Sequence, residues 1–524
     1  MTAPDQALRH TFEGGFATDF GSLAEMQVSN GRISIPFLLR AENVYFSLNG
    51  GLRKAGGTSK YNSVAIESGE EIRGMVEYVR SGTTGSPTRR RVVHAGTKIL
   101  ADNNDGTFAA IFTGLEDNKI PNYTVFTDVL VIASDSTVDV PLKWDQTTAA
   151  VLGGAPPNFS FSCEHANRLW AGGDPLFPSR LYYSALLNCE DWSGSDAGHI
   201  DIAPDDGDVM TGIYSFRGRL FVWKGPNFGS IHVISGRTPS DFARDTFSDE
   251  IGGIGPNSIF PMSNDLGFIA TDGAIRSLSA TDKYGDFEEA ALSRPITTWI
   301  RENVNPAALK RAWARTDPTR GYALFTLPVG NVVTPNYVVC LDYRFDSPRF
   351  TLWPAFVACS VARMSDPESS NRQILYLGGT DGFLRKTQQT LDMSIDGGAY
   401  QYIVKTPFFH YNTQNRMKTL SHFGLGVQGH GAADINFTAL LGPGAASQTQ
   451  HVTPSLGALL GSFIIGTDVL AGNAYLTHWG EMDAGQFREV SFELESTEEG
   501  QDIEINAIHA VIETAQDPSY ENHL

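Results

Sequence analysis

Along most of this chain one unit recurs: a short apolar strand, a turn built on Asp or Gly, and a second apolar strand. Arg168-Leu-Trp-Ala-Gly-Gly leads to Arg180-Leu-Tyr-Tyr-Ser, and Arg219-Leu-Phe-Val-Trp precedes Ser230-Ile-His-Val-Ile. Leu266-Gly-Phe-Ile-Ala turns at Asp272-Gly273, and Ile374-Leu-Tyr-Leu-Gly-Gly turns at Asp381-Gly382. Similar units begin near Val92, Val129 and Tyr322. They start roughly 35–55 residues apart, the spacing of four-stranded propeller blades. Six or seven units can be counted, and six blades are expected, one unit being set aside as a linking hairpin. The 53 glycines and an aromatic content of 11% suit short strands joined by tight turns.

The rest of the chain divides around this array. Residues 1–62 read as an N-terminal arm with first strands, 63–391 as the β-propeller, and 392–524 as a β-rich domain of sandwich or jelly-roll type. The expected class is therefore all-β. Helix signals are few. Ser293 reads as an N-cap with Pro295 in the first turn, and Asn305-Pro-Ala-Ala-Leu-Lys-Arg as another brief turn.

Charge narrows the function. There are 59 Asp and Glu against 39 Lys and Arg, a formal net charge of −20. Such a chain repels nucleic acid on average, which suits a soluble protein or a pore through which DNA slides without sticking. The only basic run is Arg89-Arg90-Arg91, placed at the end of an exposed loop over residues 81–91. These three arginines are the candidate contacts to DNA or to a neighbouring subunit, weighed against a solvated loop tip. The start of the chain lacks a charged-then-apolar leader pattern, and no run of about eighteen apolar residues occurs. Synthesis in a cytoplasm and no membrane-spanning segment are expected. The four cysteines lie in no C-x-x-C pair and read as buried, reduced, small apolar residues.

Motifs for chemistry are weak. Gly424-Leu-Gly-Val-Gln-Gly429 fits G-x-G-x-x-G, but no helix follows to receive a phosphate, so it reads as a Gly-rich strand and turn. Asp205-Asp206-Gly207-Asp208 lacks the alternating spacing of a calcium loop and reads as a turn between strands. No Asp-Gly turn continues into Thr-Trp, as sialidase-type Asp boxes do, and no pair of catalytic carboxylates stands out. No catalytic residue, metal ligand or cofactor is expected, and the protein is read as a non-enzyme.

One set of segments is more specific. Arg168-Leu-Trp-Ala-Gly-Gly, Ser179-Arg-Leu-Tyr-Tyr-Ser and Glu190-Asp-Trp192 resemble a pattern in the tail nozzle, or tail tubular, proteins of short-tailed bacteriophages. Gly50-Gly-Leu-Arg-Lys-Ala-Gly-Gly-Thr58 is similar to that family's N-terminal motif, with Ala55 and Gly56 where the family often has Arg and Pro. The segments 211–224, 230–234, 249–258, 267–276 and 292–296 follow in the family's order. The resemblance implies a six-bladed propeller subunit of a hexameric ring in the virion tail. That ring would sit below adaptor proteins, support fibres or a tip, surround the passing double-stranded DNA, and retain it until ejection. The alternatives are a carbohydrate- or receptor-binding tail propeller, or a glycoside-acting enzyme.

Overall fold

A computed structural model of the chain describes residues 8–12, 14–19, 27–29, 32–35, 37–81, 85–284, 291–345, 347–369, 371–387, 393–411, 416–429, 431–432, 434–442, 447–456, 475–497 and 503–514. The chain forms two compact units. One comprises residues 60–339 and 357–387, the other residues 1–59, 340–356 and 388–524.

The first unit holds six small sheets arranged as a six-blade β-propeller. Their strands fall within residues 72–113, 121–151, 161–201, 209–248, 260–277 and 360–387. The unit near Tyr322 is a hairpin, Trp313–Asp317 with Tyr322–Leu327, that belongs to a larger sheet. It stands in the ring between the fifth and sixth blades, where Trp313–Asp317 packs between Phe260–Met262 and Ser360–Asp366. Adjacent blades share apolar cores. Tyr78, Val92 and Ile99 of the first blade meet Leu130, Ile132 and Trp144 of the second. Trp170, Leu181 and Tyr183 of the third meet Met210, Leu220 and Val222 of the fourth. Trp170, Trp223 and Trp313 are fully buried, and a large apolar side chain buried this way contributes about 1.5–3 kcal/mol.

The Asp-Gly turns are where the sequence placed them. Gly106, Gly207, Gly273 and Gly382 all have φ between +74° and +83°, a region open to glycine at no steric cost. The ring closes through residues next to Thr58–Lys60. Tyr61 N–H donates to the Leu384 carbonyl at 2.7 Å. Asn62 accepts from Leu384 N–H at 2.7 Å and donates to the Gly382 carbonyl at 2.9 Å.

In the second unit, two sheets pack face to face. One runs Gln27–Ser29, Arg32–Ile35, Leu8–Phe12, Ile503–Thr514, Lys418–Gly429, Leu476–Glu481. The other includes Arg349–Trp353, Arg40–Glu42, Tyr402–Lys405, Ser491–Ser496, Ile435–Leu440 and Ser447–Val452. Phe423 of the first stacks on Phe437 of the second with ring centroids 4.2 Å apart. Burial alternates strictly along Ile435–Leu440, as a half-buried strand requires. Residues expected to form an arm of their own thus share sheets with the C-terminal region.

Helix is scarce. Ser293 stands at the N-cap position of a 3-10 turn, Arg294–Ile296, with Pro295 in its first turn as expected, ahead of the helix Thr297–Asn303, but its side chain makes no capping hydrogen bond. The buried Ser293 hydroxyl accepts instead from Ile275 N–H at 2.9 Å, holding the helical segment to the fifth blade. Asn305 does cap the 3-10 turn Pro306–Arg311, accepting from Ala307 N–H at 3.1 Å. The four cysteines are free; Cys189, Cys340 and Cys359 are buried and Cys163 is partly exposed.

Candidate functional site

The basic run does not sit on a loop. Thr88–Ala95 is a strand of the first blade, paired so that Arg89, Arg90 and Arg91 lie opposite Val79, Tyr78 and Glu77. Arg91 is buried, with 3% of its surface exposed. Its Nη1 is 2.8 Å from Asp102 Oδ2 and also donates to Tyr61 Oη at 3.0 Å, while Nη2 donates to the Ser365 carbonyl at 2.6 Å. The guanidinium lies 4.5 Å from the Tyr61 ring centroid and 5.6 Å from that of Tyr376. These partners join the first blade to the last. Burial, then the hydrogen bond to Asp102, pushes the Tyr61 phenol well above its ordinary pKa. Arg89 pairs with Glu77 at 3.4 Å and Arg90 donates to the Asp102 carbonyl at 3.0 Å. The strand T-R-R-R-V-V-H-A runs through the basic residues with burial rising along it, exposed at Thr88 and buried from Arg91 on, and Asp102 supplies the charge that makes burial of Arg91 affordable.

The acidic segment 205–208 is organised around an ammonium rather than a metal ion. Lys224 is fully buried, and its Nζ donates to Asp206 at 2.6 Å, to the carbonyls of Ile202 and Ala203 at 2.8 and 2.7 Å, and to Ser179 Oγ at 3.3 Å. Asp208, 4% exposed, accepts from the N–H groups of Asn227, Phe228 and Gly229 at 2.6, 3.0 and 2.7 Å. Lys224 gave no sequence signal: a lone Lys ending an apolar strand reads as a solvated strand end.

The glycines 424, 426 and 429 lie on one continuous strand, Lys418–Gly429. A Cβ at Gly426 would fall 2.2 Å from Tyr475 Oη, and one at Gly424 would press on His509 and Trp479. They make room for neighbouring side chains, as the strand reading expected.

The segments that resemble the nozzle pattern build blades. Trp170 and Tyr183 pack with ring centroids 5.1 Å apart. Arg168, 2% exposed, donates to the Ser184 carbonyl at 2.9 Å and to Asp196 at 2.6 Å. Trp192 packs on Phe159, and its indole N–H donates to the Cys189 carbonyl at 2.8 Å. Asp272 accepts from Ala274 N–H and Arg276, and Asp381 from Phe383 N–H and Arg385, in matching geometry. The shared pattern Asp-Gly-x-Ile/Leu-Arg was visible in the sequence.

One sizeable cleft, of about 770 Å³, opens beside the Asp272 turn. Its aliphatic wall includes Ile300, Val304 and Leu309; Arg276, Arg301 and Lys310 bring positive charge, and Asp272 is the only carboxylate among its described lining residues. That carboxylate pairs with Arg276 at 2.8 Å. Among the described residues no His, Cys, Asp and Glu group is arranged to hold a metal ion, and no helix is long and apolar enough to cross a membrane.

No family model matches the chain, and no curated protein does. Among solved structures it is similar to YCF48 bound to a D1 peptide, with 9% identity and a TM-score of 0.38 over 63% of this chain and 95% of that one. It is also similar to the extracellular domain of a putative hybrid two-component system from B. thetaiotaomicron, with 9% identity and a TM-score of 0.31 over 70% and 39% of the two chains. An exo-β-1,3-galactanase from Phanerochaete chrysosporium matches with 10% identity and a TM-score of 0.27 over 88% and 100%.

Proposed function

We propose that this protein is a structural component of a bacteriophage tail, the nozzle or hub ring of a short-tailed phage. The reading rests on one observation: the segments that resemble nozzle proteins occur in the family's order, and they supply core positions of consecutive propeller blades. Trp170, Tyr183 and Trp192 serve the third blade, 211–224 and 230–234 the fourth, and 267–276 the fifth. A rigid propeller is a suitable building block for a ring whose subunits meet through different patches of surface. The acidic balance, −20 overall, favours a conduit that DNA passes without binding. In this role six copies surround the DNA path, adaptor proteins lie above, and fibres or a tip lie below.

The test is the mass of the purified full chain by light scattering, with negative-stain images. A mass near six chains and a ring with a central hole supports the proposal. A monomer that also fails to join particles lacking their own nozzle would overturn it. The cleft beside Asp272 keeps a second reading open, a propeller that binds a receptor or a sugar. A glycan array reports on it directly, and binding there, with no ring, would favour it.

A further inference from the structure

The axis of the propeller is closed at one level and less tightly packed at the next. The strands that end each sheet on the inside, among them Ile72–Arg80, Pro121–Phe126, Phe161–His165, Val209–Phe216, Trp313–Asp317 and Ser360–Asp366, pack around it. At the closed level a Cβ on Gly74 would fall 2.3 Å from Pro121 Cγ and 2.9 Å from Trp313 Cζ2, and one on Gly212 would lie 3.2 Å from Pro256 Cα. Two residues further along those four strands stand Val76, Tyr123, Arg315 and Tyr214, which alternation turns to the same side. All four are partly exposed. Cys163 joins them. Burial raises the Tyr214 pKa, Arg315 opposes that rise and Cys163 adds to it, so these three groups converge. Val125, two residues beyond Tyr123, is 40% exposed. The inner strands thus enclose a chamber on the axis, next to the closed level.

Arg315 stands apart in this chamber. Its Nη1 donates to the Ala314 carbonyl at 2.7 Å and to the Asn257 carbonyl at 3.3 Å, and its guanidinium lies 5.3 Å from the Trp313 ring centroid. Among the described residues no carboxylate pairs with it, its Nε and Nη2 have no acceptor, and both nitrogens are accessible. Burial pushes its pKa down, and only Tyr214 opposes the fall. The carboxylates of these strands are engaged elsewhere. Glu77 holds Arg89 and Gln373, Glu164 accepts from Asn167 N–H, and Asp366 accepts from Glu368 N–H. Asp317 turns back to the N–H groups of Thr319 and Arg320 at 2.9 and 3.3 Å. Tyr123 Oη is buried and has no partner among the described residues. Donors in this chamber are left without acceptors. A guanidinium in such surroundings is normally matched by an anion, and its planar fork takes an oxyanion through two parallel N–H bonds.

We infer that the axial chamber binds one small oxyanion on the free Nε–Nη2 edge of Arg315, beside the Tyr214 phenol. The site is independent of the ring reading. Bound there, the anion neutralises the guanidinium and strengthens the closure that Asn257 and Arg315 make across the axis. A spherical halide cannot take both N–H bonds in parallel, so an oxyanion is preferred to chloride.

The test uses the full chain, with inorganic phosphate as the probe and chloride at equal ionic strength as the reference. Calorimetric titration should show one phosphate per chain with a Kd of about 1 mM or tighter. Phosphate at about 20 times that Kd should raise the propeller melting midpoint by at least about 2 °C over chloride. Arg315→Lys keeps the charge but not the fork, and should weaken binding by at least about tenfold. Arg315→Met should abolish binding and the difference between the two salts. Phosphate also stabilises folded proteins by exclusion from their surface, so a rise that Arg315→Met shares in full overturns the inference. An unaltered chain that binds no phosphate overturns it too, whether or not the variants fold. Should Arg315→Met fail to fold, Arg315→Lys decides: a tenfold loss supports the site, and an unchanged affinity overturns it.

Discussion

Replacing Arg91 by alanine removes the centre of the latch between the first and last blades. The change breaks an ion pair at 2.8 Å whose side chains are 4% and 0% exposed. It also removes hydrogen bonds to Tyr61 and Ser365 and the stacking on two tyrosine rings. Asp102 keeps a 2.7 Å bond from Asn104 N–H and a 2.5 Å bond from Tyr61 Oη, but no longer faces a cation. Breaking one side of a buried pair costs about 3–5 kcal/mol, mostly as the charge left behind. At about 2 °C per kcal/mol for a unit of this size, the propeller melting midpoint should fall by about 6–10 °C. Arg91→Lys keeps the charge but cannot reach Asp102, Tyr61 and Ser365 together, and should cost about 1.5–3 kcal/mol. The double variant Arg91→Met with Asp102→Leu should be more stable than Arg91→Ala, because no unpaired charge remains. Differential scanning calorimetry reads all three. A midpoint for Arg91→Ala within about 1 °C of the unaltered protein would refute the latch. If that variant also weakened DNA binding, the run would be a DNA contact after all.

Three further outcomes follow from the same structure. Lys224→Met should lower stability in urea by about 3–5 kcal/mol, since Asp206 and two backbone carbonyls lose their shared cation. Gly382→Ala should cost more than about 1 kcal/mol, because φ is +74° and the new Cβ would lie 2.7 Å from the Ile66 carbonyl oxygen. His10 and His94 are buried, and burial, reinforced by His509 and Arg73 respectively, lowers their pKa values to about 3 and about 4. Folding therefore favours the neutral rings: their contribution is complete above the ordinary value of 6.5 and is lost as pH falls toward the folded values, because the unfolded chain takes up the protons. From pH 7 to pH 5 each should remove about 2 kcal/mol, measured by urea midpoints, and His10→Phe should flatten that slope.

The sequence was most readable where local chemistry decides the outcome. Asp272-Gly273 and Asp381-Gly382 marked turns because positive φ there needs glycine, and the strict alternation of Ile435–Leu440 marked a half-buried strand. It was least readable where distant residues decide. Arg91 is a buried latch only because Asp102, Tyr61 and Tyr376 surround it. Lys224 is buried only because two carbonyls, a hydroxyl and Asp206 converge on it. Ser293 has the residue type of an N-cap, but Ile275 N–H competes for its hydroxyl and wins. Nor could a linear count of units assign the hairpin at Tyr322–Leu327, since its place depends on which sheet it joins.

The propeller's own axis bears on where DNA would travel in the proposed ring. Asn257, between the fourth and fifth blades, is 3% exposed and donates to the Pro121 carbonyl of the second blade at 3.0 Å. Arg311, between the fifth blade and the Trp313–Asp317 hairpin, donates to the Asn118 carbonyl beside that same blade at 2.7 Å. Arg315 Nη1 reaches the Asn257 carbonyl at 3.3 Å. Segments from one side of the ring of blades are thus hydrogen-bonded to the other across the axis. Opening that path would break these bonds, and loss of the buried one from Asn257 would leave its partners unsatisfied at a cost of about 1–3 kcal/mol. If the proposed ring forms, DNA would therefore pass between copies, along the outer loops and edges of the blades, and not through any single propeller. Substitutions that reverse charge on those outer surfaces should alter DNA retention in particles, whereas changes at Asn257 should show first as loss of stability.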